Sequence, residues 1–340
     1  MSQSVAAKPD EQRLRELHNS AVVMDGSTVI ELSRDHARRV RRGGVTAVNH
    51  TVCTPYADTT EALKEVNECR RWIDANADDV LLALNARDIQ QAKETGREAV
   101  VFGPQDTEMI GTDLDLLGTF YDLGVRILQL TYQRQNFVGS GCGEQTDSGL
   151  TGYGRSFVQA MDELGIVVDV SHCGERTGLD AMEVSRNPIL VTHSFCDELS
   201  PHIRAKSDDF LRELGQRGGV MGITTLSAFL YYPDEPRRRP DLKRFVEHVS
   251  HVAEVAGVDA VAVATDYDET MTPQRRAAEG PELAKLIGDW AWEDRRAVGM
   301  DDAGDFFNFT TALAEGGFSD EEIVKILGGN WLRVLGAVCG

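Results

Sequence analysis

Short apolar runs alternate with amphipathic stretches along almost the whole chain. Nine runs read as strands: 21–25 (AVVMD), 45–52 (VTAVNHTV), 80–85 (VLLALN), 99–103 (AVVFG), 126–132 (RILQLTY), 166–171 (IVVDVS), 188–193 (PILVTH), 219–224 (GVMGIT) and 260–265 (AVAVAT). Runs that are apolar at successive positions suit strands covered on both faces, as in a parallel sheet. The segments between them are long enough for crossover helices, at 58–76, 113–123, 153–164, 175–186, 207–216 and 241–256. Strands alternating with helices predict an α/β fold. Nine runs for eight places predict a (β/α)8 barrel of the TIM type with one run outside it, and the pattern does not say which. A doubly wound open sheet is the alternative, but no GxGxxG follows the first strand, which removes its commonest nucleotide-binding form.

The 340 residues suit one barrel domain over 1–340, with 1–20 as an N-terminal extension and 305–337 as a C-terminal helical segment. Three segments lack periodicity: 134–150, 231–240 and roughly 267–304. All three follow strand runs and are candidate walls of a site, although 231–240 reads better as plain surface. The formal net charge of −20 repels phosphate backbones and anionic lipids, so neither nucleic acid nor membrane is an expected partner. No apolar run is long enough to span a bilayer, and the first twenty residues lack a signal peptide's apolar core, so the expected location is cytoplasmic. The six cysteines form no CxxC and are expected as free thiols.

The chemistry-bearing residues collect where strands end. The run 166–171 delivers His172, 188–193 delivers His193 and 260–265 delivers Asp266. Gln105 follows 99–103, and Tyr132 ends 126–132. In a barrel these C-terminal strand ends converge on one mouth, so residues far apart in sequence become neighbours. Two imidazoles and a carboxylate there could form a metal site or an acid–base pair. His50, inside the run 45–52, is a reserve candidate. His18, His36, His248 and His251 read as solvated, and Cys173 as a small buried thiol. No GxSxG, GxxxxGK[ST] or HExxH occurs.

The blocks LGVRILQLTYQRQN, GLTGYGRSFVQAMDELGIVVDVSHCGERT, PILVTHS, PHIRAKSDDFLRELGQRGGVMGI, VAVATDYD and GGNWLRVL resemble the membrane (renal) dipeptidase family, zinc peptidases with an amidohydrolase-like barrel. The resemblance runs from about Asp25 to Leu335. It implies that His172 and His193 hold one zinc of the family's pair. It also implies that Asp266 is an active-site acid and that Arg204 grips the substrate carboxylate from the rim, with His202 beside it. Homodimers are common in that family. The family's DGHxD motif, however, reads Asp25-Gly26-Ser27-Thr28-Val29 here, the bridging carboxylate is Gln105, and the His of its LTH motif is Tyr132. Two cations about 3.5–4 Å apart need a bridging carboxylate, which a neutral Gln cannot supply.

The sequence therefore predicts a divergent, dipeptidase-like hydrolase of a small carboxylated amide, with at most one zinc. The third ligand would be the Gln105 carbonyl, Asp266 or His50. Asp266, Tyr132 and Gln105 are the expected catalytic residues. Two alternatives stay open: a metal-independent acid–base enzyme (lyase, isomerase or biosynthetic tailoring enzyme) on the same barrel, and a ligand-binding pseudoenzyme.

Overall fold

A computed structural model describes residues 10–268 and 290–340. Nine strands appear among them, and every predicted run overlaps one: β1 Met24–Thr28, β2 Ala47–His50, β3 Val80–Leu82, β4 Glu98–Phe102, β5 Ile127–Gln129, β6 Val167–Asp169, β7 Leu190–Ser194, β8 Val220–Ile223 and β9 Val261–Val263. All neighbours are parallel. β1, β2, β4 and β3 form one sheet, and β5 to β9 the other. Single parallel bridges, Phe102 to Val125 and Thr28 to Tyr267, join the two sheets at both seams. The result is a closed barrel of β1, β2 and β4 to β9. β3 is the extra run: it pairs only with β4, from Val80↔Glu98 to Leu82↔Val100.

Alternation along each strand sorts the side chains into two cores. Met24, Ala47, Ala99, Val101, Ile127, Val167, Leu190, Val220 and Ala262 fall in one cluster, which fills the barrel. Their neighbours Val48, Val100, Phe102, Val168 and Val191 pack outward against the helices. The crossover helices begin on side-chain caps: Asp58 makes a capping box with Glu61 before Thr59–Ala75, and Thr151 caps Gly152–Leu164. Each cap satisfies donors that the first helical turn leaves bare.

The C-terminal segment folds as helices Phe307–Glu315, Asp320–Val324 and Asn330–Val338, with a π turn at Lys325–Gly329. The last helix inserts Trp331, Val334 and Leu335 into the barrel cluster. The indole of Trp331 is fully buried and donates to Val263 O at 3.2 Å. It fits because β1 and β8 carry glycines there. A Cβ on Gly222 would lie 2.9 Å from the indole edge, and one on Gly26 would crowd the same ring and lie 2.7 Å from Thr192 O. This plug closes the end of the barrel opposite the mouth.

Four histidines expected in solvent turn out otherwise. His18 is buried, with its ring between Thr310 Oγ1 (2.7 Å) and Gly43 O (2.8 Å). His36 and His248 are buried as well, and half-buried His251 contacts Asp208 at 2.7 Å. Each sits on a helix face covered by another element, which a single helical stretch does not reveal. Among the described residues no helix is long and apolar enough to cross a membrane. All six cysteines are free thiols. The irregular segment 267–304 lies mostly outside the described residues.

Candidate active site at the barrel mouth

A regular offset builds the mouth. Gln105, Tyr132, His172 and Asp266 each lie three residues beyond the last residue of β4, β5, β6 and β9, and His193 lies within β7. His172 Nε2 and His193 Nε2 are 2.9 Å apart. The Tyr132 ring stacks on His172 with centroids 4.2 Å apart, and Tyr56 meets Tyr132 edge-on at 5.5 Å. Arg134 caps this column, 3.7 Å above the Tyr56 ring. Tyr56, Gln133 and Asp266 all have positive φ, at 68°, 30° and 54°. Among the described residues they are the non-glycine residues with left-handed backbone, and such strain concentrates at functional sites.

A second network occupies the side of the mouth formed by β1 and β4. Gln105 Nε2 donates to Thr51 Oγ1 at 2.8 Å and to Ser27 Oγ at 3.4 Å, and Ser27 Oγ donates to Asp266 Oδ1 at 3.4 Å. Gln129 ties Gln105 in place by donating to its carbonyl at 2.5 Å. Two of the positions where the resemblance puts the second metal's ligands, Ser27 and Gln105, have thus become uncharged members of a hydrogen-bonded chain. Gln105 was expected to donate to substrate; both its amide hydrogens instead have acceptors within this chain.

Arg204 is the larger correction. It is not at the rim but 1% exposed. One guanidinium nitrogen donates to Ser171 O and another to His193 O at 3.2 Å. Asp208 and Asp209 pair with Arg212 instead. Lys206, two residues on, is equally buried and donates to Val170 O and Cys173 O at 3.1 Å each. Neither cation has a carboxylate partner among the described residues, which is costly for buried charges. Their field adds to the burial that already holds His172 and His193 well below the usual imidazole range, so both rings are neutral.

Beneath them, fully buried Asp169 accepts from Ser171 Oγ (2.6 Å) and Thr192 Oγ1 (2.7 Å). Asp25 plays the matching part under Asp266: it takes the Thr265 N–H at 2.7 Å, and burial lifts its carboxyl to about 7. Asp106 anchors the Tyr56 and Asn136 loops (3.2 Å to each), and burial raises it to about 6. Asp25, Asp106, Asp169, Thr192 and Lys206 were missed as site residues. A lone acid inside an apolar strand run, as in VVDVS, was the available signal for Asp169.

The residues present do not suit a metal. Two ligands on one ion at about 2.1 Å in tetrahedral geometry lie about 3.4 Å apart, and a catalytic zinc has three protein ligands. Here the two nitrogens stand at hydrogen-bonding distance, and among the described residues no group of three His, Cys, Asp or Glu converges. His50 contacts Cys69 Sγ at 3.7 Å and lines a cavity of about 450 Å³ whose walls include neither His172 nor His193. Asp266 is engaged with Ser27, and the Gln105 side chain is held by its amide on Thr51.

The profile of the membrane dipeptidase family (peptidase family M19) matches residues 13–295. The chain is 26% identical over 282 residues to dipeptidase tcpJ of Claviceps purpurea, which covers 82% of this chain and 60% of that protein. It therefore spans about three fifths of the length of this curated relative. An amidohydrolase from Pseudomonas aeruginosa superposes with a TM-score of 0.88 at 28% identity, covering 96% of this chain and 99% of the other. A metallo peptidase from Rhodobacter sphaeroides, liganded with a phosphinate mimic of the dipeptide L-Ala-D-Ala, gives 0.79 at 20% identity, covering 94% and 99%; at that identity the likeness is one of fold.

Proposed function

The chain belongs to the membrane dipeptidase family, and on that premise we propose that it hydrolyses the amide bond of small, dipeptide-like substrates bearing a free carboxylate. The observation that carries this reading is the pair of buried cations, Arg204 and Lys206, held without a carboxylate partner among the described residues beside two neutral imidazoles. A site with excess buried positive charge favours an anionic ligand, and one that excludes water strengthens the attraction. The protein's overall charge of −20 opposes this only at long range, since salt screens beyond about 8 Å.

Half-buried Asp266, oriented by Ser27, serves as the base that takes a proton from the attacking water. The Tyr132 hydroxyl donates to the oxygen of the tetrahedral intermediate, its ring fixed by stacking on His172. The protonated Asp266 then returns its proton to the departing amine. The donor set assigns no step to a zinc ion, and the cytoplasm remains the proposed location.

The test is a panel of dipeptides and N-acyl amino acids, assayed for released amine beside the same compounds with the carboxylate converted to an amide. The expected result is a kcat/KM at least about tenfold higher for the free acids, since a charged hydrogen bond is worth roughly 1.5–3 kcal/mol. Equal turnover of acid and amide would remove the carboxylate from this reading, and no amide hydrolysis across the panel would remove the hydrolase.

A further inference from the structure

The hydrogen bonds around the two imidazoles run in one direction only. Asp169 is 2% exposed. One of its oxygens receives the N–H of Ser171 and of Thr192 at 3.0 Å each, together with the Ser171 hydroxyl. The other receives the Thr192 hydroxyl at 2.7 Å. An ionised carboxylate only accepts. Burial pushes the Asp169 carboxyl up, and the four hydrogen bonds it receives, two of them from backbone N–H groups, pull it back towards the ionised, accepting form. Thr192 therefore spends its one proton on Asp169 and can only accept from His193 Nδ1, 2.9 Å away. His193 carries its hydrogen on Nδ1 and a lone pair on Nε2. The facing Nε2 of His172, at 2.9 Å, must then be the donor. That leaves Nδ1 of His172 bare, and it is a buried nitrogen without a hydrogen-bond partner among the described residues.

A metal held by both rings would need a lone pair on each Nε2, and this network leaves only one. The geometry points to a metal-free imidazole dyad in which Asp169 and Thr192 are positioning residues that fix the direction of the His172-to-His193 hydrogen bond. This assignment deepens the hydrolase reading and rests on its choice of site. Its chemical content is a one-way relay. A proton received at His172 Nδ1 releases the one on His172 Nε2 to His193 Nε2, and the resulting positive charge sits on the ring backed by Asp169 through Thr192. At His172 one N–H bond forms and one breaks; at His193 one forms and none breaks, so the proton delivered to His172 ends as the charge of the His193 imidazolium, and no metal or oxidant is needed. The tautomer held by such a buried acid decides whether an imidazole can accept a proton where the reaction needs it.

The experiment uses the full chain labelled with 15N-histidine, and long-range 1H–15N correlation spectra at neutral pH. His172→Gln and His193→Gln identify the two signals. The expected spectrum shows His193 protonated on Nδ1 and His172 on Nε2. Asp169→Asn places an N–H towards Thr192 and should reverse both tautomers. Thr192→Val, of nearly the same shape, should abolish the Nδ1 preference of His193, and it carries the test if the Asn variant fails to fold. A parallel arm adds Co2+ or Zn2+ to metal-free protein, with no visible cobalt band and no change in Tm expected. A wild-type His193 protonated on Nε2, tautomers unmoved in both variants, or stoichiometric metal binding that raises Tm would overturn the dyad. None of these readouts uses a substrate, so a failed peptide panel leaves them standing, and a failed dyad leaves the hydrolase standing.

Discussion

Replacing Asp25 by Asn should make the protein more stable, and by an amount that depends on pH. Asp25 is 1% exposed and lies under the mouth. Burial, opposed by hydrogen bonds from Thr265 and Ser27 and reinforced by the charge of Asp266, lifts its carboxyl from 3.8 to about 7. The native state therefore holds a proton that the unfolded chain loses above about pH 4. Stability contributed by the protonated acid is complete below that pH. It falls by about 1.4 kcal/mol per unit as pH rises, and levels off above about 7. Across the whole window the loss is about 4 kcal/mol, of which some 3 kcal/mol falls between pH 5 and 8. In Asp25→Asn the carbonyl oxygen can still accept the two backbone N–H groups, and the Thr265 hydroxyl has Ser27 O as a second acceptor at 3.5 Å. The variant has no carboxyl to ionise. Urea midpoints of both proteins at half-unit steps from pH 5 to 8.5 give two curves. Their difference isolates Asp25, because every other titrating group, including the buried histidines that act in the opposite sense, is shared. A difference that grows to about pH 7 and then flattens is the expected result. A flat difference, or one that shrinks as pH rises, would refute the burial argument for this acid.

Trp331→Ala should cost about 3–5 kcal/mol, the usual penalty for emptying a large aromatic site, read as a lower Tm and urea midpoint. Gly26→Ala should cost about 1–3 kcal/mol through overpacking against the same ring, and Trp331→Leu in the same chain should return part of that loss. Asp266→Asn should lower kcat by about 10²-fold or more, the scale of a lost general base, with KM and Tm little changed. Tyr132→Phe keeps the stack on His172 and should lower kcat by about 10²-fold through loss of the oxyanion donor. If its kcat is unchanged, the hydroxyl has no part in the reaction.

The barrel was legible because its evidence is local and repeated. Each of the nine runs is apolar enough to be covered on both faces, and each overlaps an observed strand. That β3 is the extra strand was not legible, since Val80–Leu82 is as apolar as its neighbours and differs only in finding a single partner. At the mouth, His172, His193, Tyr132, Asp266 and Gln105 all sit at strand ends, as the sequence implies. What each side chain does there depends on partners far away in the chain. Arg204 has the composition of a rim cation, yet the carbonyls that turn it inward belong to Ser171 and His193. Gln105 offers two amide hydrogens in the sequence and none to a ligand once Thr51 and Ser27 take them. His18 looks solvated on its own helix because Thr310, its partner, lies nearly three hundred residues away.

The indole plug also sets an order of assembly. Helix Asn330–Val338 follows all nine strands in the chain, yet Trp331 fills the space between β1, β8 and β9. During synthesis, a nascent chain that has released every strand still has a barrel with no floor, its inner alanines and glycines facing an empty centre. The first strand thus waits for one of the last helices before its inward face is dry, a contact of long sequence separation that forms slowly. Until then, the half-made barrel is the species most exposed to wrong partners and to chaperones.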